Sequence, residues 1–282
     1  MSRGAPVAVE RTTALLTGAT GGIGEAIARA LRARGARLLL SGRREEPLQR
    51  LAAELSSSSS RDAATVRAVV ADLAIQDDVR RLGEVAVAAG VDVLIANAAL
   101  PSSGLLPELT EEEIDRMLNV NLRAPVMLAH ALAPAMSAAG RGQMVFVSSL
   151  AGKVASPASS LYSATKFGLR GFALALREDL RAHGVGVTVI SPAFISGAGM
   201  YARARVPLPP GTGTRPPGAV VDAVIAAIER NPAELDVASP ALRIGAAIGS
   251  VAPGLAAWGS RVMGSQRIAA QFAERQRDSR GP

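Results

Sequence analysis

The chain has 282 residues, of which 49% are hydrophobic and 3% aromatic, so its interior must be built from aliphatic side chains. It contains no cysteine and two histidines, which excludes disulfides, thiolate metal sites and a histidine-built metal centre. The net charge is +7, but the arginines are scattered and aromatics are scarce, so we expect no nucleic-acid partner. Apolar runs stay well below the roughly 18 residues of a membrane span, and we expect a cytoplasmic protein without a transmembrane segment.

Short apolar runs alternate with helix-like stretches along the chain. The runs predict strands at 12–17, 36–41, 65–71, 91–96, 143–148, 185–191 and 234–238. Thr110 and Glu113 predict a capping box that begins a helix running to about Ala139, and 219–230 predicts another helix. This alternation is typical of an α/β fold, a doubly wound parallel sheet (Rossmann fold) of about seven strands with helices on both faces. We expect residues 1–240 to form one domain and 241–282 to extend it.

A glycine-rich turn follows the first predicted strand, with the sequence T-G-A-T-G-G-I-G from Thr17 to Gly24. Gly18 permits a tight turn, Gly22 lets the backbone approach a pyrophosphate, and Gly24 lets the next helix pack closely on the strand. Such a turn can be merely structural. Its position at the first strand of an alternating pattern favours nucleotide binding.

The second predicted strand ends in Leu40, Ser41 and Gly42, and then come Arg43 and Arg44. A site that prefers NAD(H) would place an acidic residue here for the ribose 2′-hydroxyl, and none is present. Two guanidinium groups would instead pair with a 2′-phosphate, so the sequence predicts NADP(H) in preference to NAD(H). The alternative is that these arginines are solvated surface residues.

Tyr162 and Lys166 occur in Y-S-A-T-K, four residues apart at the start of a predicted helix. Their side chains therefore project from one helix face. A lysine cation beside a phenol favours the phenolate, so we expect Lys166 to lower the pKa of Tyr162 and make it a usable acid and base. Ser149, at the end of a predicted strand, could hold a carbonyl oxygen nearby.

Two later segments lack a regular pattern. Glycines and prolines in 193–218 predict a mobile lid over a substrate. The apolar stretch after residue 240 is interrupted by Pro253, and it could cover the pocket, pack on a partner subunit or touch a membrane surface.

Taken in order, these motifs resemble the compact branch of the short-chain dehydrogenase/reductase family over about residues 10 to 240. The resemblance implies a catalytic set of Asn121, Ser149, Tyr162 and Lys166. It also implies a set of coenzyme-binding residues: Gly18, Thr20, Gly22, Ile23, Gly24, Arg43, Arg44, Asp72, Leu73, Asn97, Tyr162, Lys166, Pro192 and Ile195. Within these sets Asp72 would contact adenine, Asn97 would support the central sheet, and Asn121 would order a water that resupplies the proton.

The substrate pocket is expected to be mostly apolar and to hold no metal. The substrate set is Ser149, Leu150, Tyr162, Phe194 and Met200, and Leu100, Leu161 and Tyr201 are further expected to line the pocket. Three residues depart from the family pattern, namely Ala99, Ala193 and Gly197, where the family usually has glycine, glycine and a threonine that grips the nicotinamide. Ser196 could replace that threonine as a donor.

The resemblance implies an NADP(H)-dependent oxidoreductase that interconverts a ketone or aldehyde and an alcohol on an apolar small molecule. It further implies a homodimer or homotetramer that shares the helices starting near Thr110 and Tyr162. Two alternatives stay open: a non-enzymatic NADP(H)-binding redox sensor or scaffold, and an epimerase or dehydratase of the extended branch. The latter usually spaces its turn T-G-x-x-G-x-x-G.

Overall fold

The structure, a computed structural model, describes residues 8–57, 66–101, 104–155, 157–197, 199, 201, 208, 212–252 and 254. Within these residues seven strands form one parallel sheet in the order β3-β2-β1-β4-β5-β6-β7. The strands are β1 (Thr13–Thr17), β2 (Arg37–Gly42), β3 (Val66–Val70), β4 (Val93–Ala96), β5 (Gly142–Val147), β6 (Val185–Pro192) and β7 (Glu234–Val237). This confirms the predicted sheet.

Helices connect the strands. They are α1 (Gly22–Ala33), α2 (Glu45–Ser57), α3 (Gln76–Ala88), α4 (Glu111–Leu118), α5 (Ala124–Ala139), α6 (Ser160–Arg181), α7 (Pro217–Arg230) and α8 (Pro240–Val251). None of the helices in the described part of the chain has the length and apolar character needed to cross a bilayer.

Side-chain alternation along the strands builds a core on each face of the sheet. Leu16 and its same-face neighbours pack against α1, α2 and α7. Leu15 and its neighbours pack against α3, α5 and α6. Because successive side chains of a strand point to opposite faces, strands buried on both sides read as continuous apolar runs. The strand order reverses between β1 and β4, so a crevice opens there at the carboxyl ends of the strands.

Two helix boundaries differ from the sequence-based prediction. The helix predicted from Thr110 to Ala139 does begin with the capping box of Thr110 and Glu113. A π-helical segment, Asn119–Arg123, however, divides it into α4 and α5. Helix α7 begins at Pro217 rather than at residue 219, because proline is tolerated in the first turn, where its missing N–H is not needed.

Candidate active site

A cleft of about 820 Å³ opens at the carboxyl edge of the sheet, where β1 and β4 diverge. Every residue that the sequence assigns to coenzyme binding lies on its wall. These are Gly18, Thr20, Gly22, Ile23, Gly24, Arg43, Arg44, Asp72, Leu73, Asn97, Tyr162, Lys166, Pro192 and Ile195. The topology thus brings these residues from six separate segments of the chain to one site.

The glycine-rich turn leaves no room for side chains at two positions. Gly18 has a φ of +66°, and a Cβ there would lie 2.9 Å from Cα of Ala98. A Cβ on Gly24 would lie 2.1 Å from the carbonyl oxygen of Gly18. The turn therefore needs glycine at both positions to bring the amino end of α1 against β1. That end faces the cleft, where its free amides suit an anion.

Asn97 joins the two strands that flank the crevice. Its Nδ2 donates to the carbonyl oxygens of Thr17, at 3.0 Å, and Gly18, at 3.3 Å. Its backbone N–H donates to Oγ1 of Thr17 at 3.1 Å. These bonds hold the floor of the glycine-rich turn in place.

The cleft end beside β2 and β3 is strongly charged. Arg43 and Arg44 are exposed on its wall. Asp72 lies opposite, and its Oδ2 accepts a hydrogen bond from Nη2 of Arg116 at 2.8 Å. Partial burial raises the pKa of Asp72, but hydrogen bonds from the Ala74 amide and from Arg116 outweigh it and hold the pKa below its usual value.

Arg116 is a member of this site that sequence reasoning missed. It lies on α4, 44 residues after Asp72, and nothing in its local sequence separates it from other surface arginines. The pairing becomes visible only when the fold brings α4 beside the end of β3.

Ser149 lies two residues after the end of the buried strand β5, and it lines the cleft together with Tyr162 and Lys166. Its Oγ accepts a hydrogen bond from the amide of Ala151 at 3.1 Å. The next turn packs tightly on α6, because a Cβ on Gly152 would lie 2.7 Å from the carbonyl oxygen of Lys166. Sequence reasoning missed this close approach, which joins the Ser149 turn to the helix that carries Tyr162.

Tyr162 and Lys166 both reach the cleft from the first turns of α6. The Lys166 Nζ lies 5.7 Å from the centroid of the Tyr162 ring. It donates to the carbonyl oxygen of Val147 at 2.9 Å, and the residue is 1% exposed. A hydrogen bond links the side chains of Tyr162 and Ser149. The structure therefore brings together three of the four predicted catalytic residues.

The pKa of Tyr162 is shifted in the direction opposite to the expected one. Burial raises the pKa of Tyr162 to about 12, and its hydrogen bond with Ser149 offsets only part of that rise. Burial also lowers the pKa of Lys166 to about 8. In the chain alone the net pKa of Tyr162 is therefore raised rather than lowered, because removing both groups from water disfavours each charged form, and a lowering effect of Lys166 stays a prediction.

Asn121 lies behind the cleft wall, in the π-helical segment, and is 1% exposed. Its Oδ1 accepts from the Leu100 amide at 2.7 Å, and its Nδ2 donates to the Leu100 carbonyl at 3.1 Å. The Nδ2 also donates to Oγ1 of Thr165 at 3.4 Å, and that hydroxyl donates to the carbonyl of Tyr162 at 2.7 Å. Asn121 thus braces both the loop after β4 and the start of α6, and its role toward a water stays a prediction.

Only some of the residues predicted to contact the substrate line the cleft. Leu100 and Tyr201 line the cleft, whereas Leu150, Leu161 and Phe194 are not among its lining residues, and Met200 lies outside the described residues. The Phe194 ring packs edge-on against Tyr201, with centroids 5.3 Å apart. Leu161 precedes Tyr162 by one position, about 100° around the helix, and so faces another direction.

The predicted lid is anchored at both ends. Ile195 and Arg215 form a parallel β-bridge. The backbone N–H of Ser196 donates to the carbonyl oxygen of Arg215 at 2.9 Å, and its Oγ donates to the same oxygen at 3.3 Å. Ser196 is not among the cleft-lining residues, and its expected role in place of the missing threonine stays a prediction. The mobility of 193–218 stays a prediction.

The residues present fit a dinucleotide. Four glycines, Gly18, Gly21, Gly22 and Gly24, line the cleft where a pyrophosphate would lie, and two arginines line it where a 2′-phosphate would lie. Among the residues that the structure describes, no group of three or more histidine, aspartate or glutamate side chains could hold a metal ion.

Comparisons with known proteins agree with this geometry. The family model for short chain dehydrogenases matches residues 12–206. Nodulation protein G of Rhizobium sp. (strain N33) is 37% identical over 187 residues, which cover 66% of this chain and 74% of that protein. Ketoacyl reductase HetN of Nostoc sp. is 32% identical over 233 residues, which cover 80% and 78% of the two chains. A short-chain dehydrogenase from Sphingobium yanoikuyae, solved in complex with NADPH, has a TM-score of 0.74 at 30% identity, covering 87% and 95% of the two chains.

Proposed function

The chain belongs to the short-chain dehydrogenase family and is an oxidoreductase, and we propose that it uses NADP(H) to interconvert an apolar ketone and its alcohol. The observation that carries this proposal is the hydrogen-bonded pair of Ser149 and Tyr162, with Lys166 one helical turn away, on the wall of a dinucleotide-sized cleft. Hydroxyl groups placed in this way can hold and protonate a carbonyl oxygen.

The bound coenzyme supplies or accepts a hydride at the nicotinamide ring. In the reducing direction, Ser149 and Tyr162 donate hydrogen bonds to the carbonyl oxygen, and Tyr162 transfers its proton as negative charge develops there. The raised pKa of Tyr162, about 12, keeps the phenol protonated at neutral pH, while it is still a stronger acid than an alcohol. The Lys166 ammonium stabilises the phenolate that remains.

Coenzyme choice rests on the charged end of the cleft. Arg43 and Arg44 are exposed there, and no acidic residue ends β2. Guanidinium groups attract a 2′-phosphate and give a bare ribose hydroxyl no comparable partner. The similar Sphingobium yanoikuyae enzyme was solved with NADPH, which supports the same choice.

Apolar walls support the proposed substrate class. The lining of the cleft also includes Leu100, Val120, Ala193 and Tyr201, and these side chains offer no cation to hold a carboxylate or phosphate. A similar protein, HetN, is named a ketoacyl reductase, which supports a ketone as the substrate.

A coenzyme-consumption screen tests the proposal. Purified chain is mixed with NADPH or NADH and a panel of ketones graded by size and polarity, and coenzyme absorbance is followed. We expect one NADPH consumed for each alcohol formed, with apolar ketones preferred. Product formation without net NADPH consumption would indicate an epimerase, and binding of NADPH without turnover on any carbonyl or alcohol would indicate a sensor or scaffold.

We also propose that the chain forms a homodimer or homotetramer through α5 and α6. Each helix exposes a large apolar side chain, with Met127 37% exposed and Phe167 39% exposed. Sedimentation equilibrium of the native chain and of a Phe167→Glu variant tests this. A variant with the same mass as the native assembly would argue against α6 as the interface.

A further inference from the structure

A charged cluster lies beside the catalytic turn and has no part in the proposed chemistry. Its members are Lys153 and Arg170, which face Glu234 and Asp236 on β7. The Lys153 Nζ lies 2.7 Å from Oδ1 of Asp236 and 3.6 Å from Oε2 of Glu234. Arg170 binds Glu234 through two hydrogen bonds, of 2.6 and 3.0 Å.

These residues are too buried to be an ordinary surface network. The Lys153 side chain is 10% exposed, and the side chains of Asp236 and Glu234 are 19% and 24% exposed. The Arg170 hydrogen bonds outweigh burial and hold the pKa of Glu234 below its usual value. Removing charges from water is costly, and apolar residues of similar volume are often at least as stable as a buried ion pair. We therefore expect this cluster to fix geometry rather than to add stability.

The cluster connects the two segments that carry the catalytic groups. Lys153 is the last residue of the turn that begins at Ser149. In this turn the Gly152 N–H donates to the Ser149 carbonyl oxygen at 2.9 Å, and the Lys153 N–H donates to the Leu150 carbonyl oxygen at 2.9 Å. This short, bonded turn has little slack between Ser149 and Lys153. Arg170 lies on α6 one helical turn after Lys166.

Strand β7 provides a common support for both segments. Glu234 and Asp236 are two residues apart on the strand, so their side chains point to the same face of the sheet. The strand is fixed by parallel pairing with β6, including Val189 with Glu234 and Ser191 with Asp236. One edge of the sheet therefore holds both the serine turn and the tyrosine helix.

We propose that Lys153 and Arg170, through Asp236 and Glu234, form a clamp that positions Ser149 against Tyr162. All four are positioning residues, because none of them lines the cleft. The inference rests on the proposed function for its kinetic consequence, since a misplaced Ser149 would no longer share a carbonyl oxygen with Tyr162. Small displacements of a catalytic group are costly to turnover.

The test replaces the ion pair of Lys153 and Asp236 with an apolar contact. The double variant Lys153→Met with Asp236→Leu removes both charges and leaves no buried ion unpaired, so it is expected to fold. Lys153→Arg keeps a cation within reach of the carboxylates and serves as the conservative rescue. Arg177→Met is the matched control, because Arg177 also ties α6 to the loop before β7, through Asn231, but far from Tyr162.

Two readouts are measured on each variant, namely hydrogen–deuterium exchange of segment 149–154 and kcat. The dissociation constant for NADPH is measured beside them as a check on the coenzyme site. We expect the double variant to exchange faster in that segment and to lose about tenfold in kcat, with NADPH affinity within twofold of the native chain. Lys153→Arg should stay close to native in both readouts. Arg177→Met should lower thermal stability without changing either readout.

Unchanged exchange at 149–154 in the double variant, or a kcat equal to that of the native chain, would overturn the clamp. A native chain that reduces no carbonyl would instead overturn the proposed function. The exchange measurement would still decide whether the cluster holds the serine turn, so the two failures are distinguishable.

Discussion

The two ends of the cleft are built in different ways. The coenzyme end, formed by the glycine-rich turn with Arg43, Arg44 and Asp72, uses backbone geometry and exposed charge. The chemical end, formed by Ser149, Tyr162 and Lys166, uses side chains whose protonation is set by burial. The first end should therefore govern affinity and coenzyme choice, and the second should govern turnover and its pH dependence.

The largest effect is expected at the chemical end. Tyr162→Phe removes the proton donor and keeps the ring, so kcat should fall by about a thousandfold while NADPH affinity stays nearly native. Stopped-flow turnover and fluorescence titration with NADPH measure the two quantities. Loss of NADPH affinity in parallel with kcat would show that the two ends are not separable.

At the coenzyme end we expect the opposite result, in which NADPH affinity falls and kcat does not. Arg43→Ala with Arg44→Ala removes the charges available to a 2′-phosphate, at a total cost of about 1.5 to 3 kcal/mol for the one or two charge-assisted bonds that are lost. The dissociation constant for NADPH should rise by about 10-fold to 100-fold, whereas that for NADH and the kcat at saturation should change little. Equal weakening of both coenzymes would contradict a 2′-phosphate site.

A pH profile sharpens the assignment of Lys166. Its pKa of about 8 means that the ammonium is present below that pH and lost above it. Reduction should therefore slow by about tenfold for each pH unit above roughly 8, because the phenolate loses its cation. The Lys166→Arg variant stays charged, so its rate of reduction should not change with pH between about 8 and 10. A native profile that is flat to pH 10 would contradict this role.

The smallest effect is expected at Arg116. Its ion pair with Asp72 is partly exposed, with side-chain exposures of 39% and 24%, and such pairs contribute about 1 kcal/mol at most. Arg116→Gln should weaken NADPH binding by no more than about fivefold and leave kcat unchanged. Titration at low and high salt checks this, because screening should reduce the difference.

Sequence reasoning was most informative where function depends on local geometry. The glycines of the first turn and the four-residue spacing of Tyr162 and Lys166 have local causes, and the parallel sheet follows from apolar periodicity. Contacts between distant segments could not be found in this way. Arg116 meets Asp72, and Lys153 meets Asp236, only after the sheet and helices have been assembled.

Protonation was the main quantity that the sequence could not provide. Spacing alone places a cation beside a phenol, but the direction of the pKa shift depends on how much water both groups lose. In the same way, the sequence could not show that the Phe194 ring packs edge-on against Tyr201 or that Phe194 is not among the cleft-lining residues.

Direct titration of the Tyr162 phenol tests the central claim most closely. The chain has two tyrosines, so Tyr201→Phe leaves Tyr162 as the single phenol to be followed by ultraviolet absorbance. Without coenzyme, the phenolate should form only well above its ordinary pKa of about 10. Saturating NADP⁺, which brings a positive charge into the cleft, should lower that pKa, and Lys166→Met should reduce the shift. A titration near the ordinary value that NADP⁺ does not change would contradict the account.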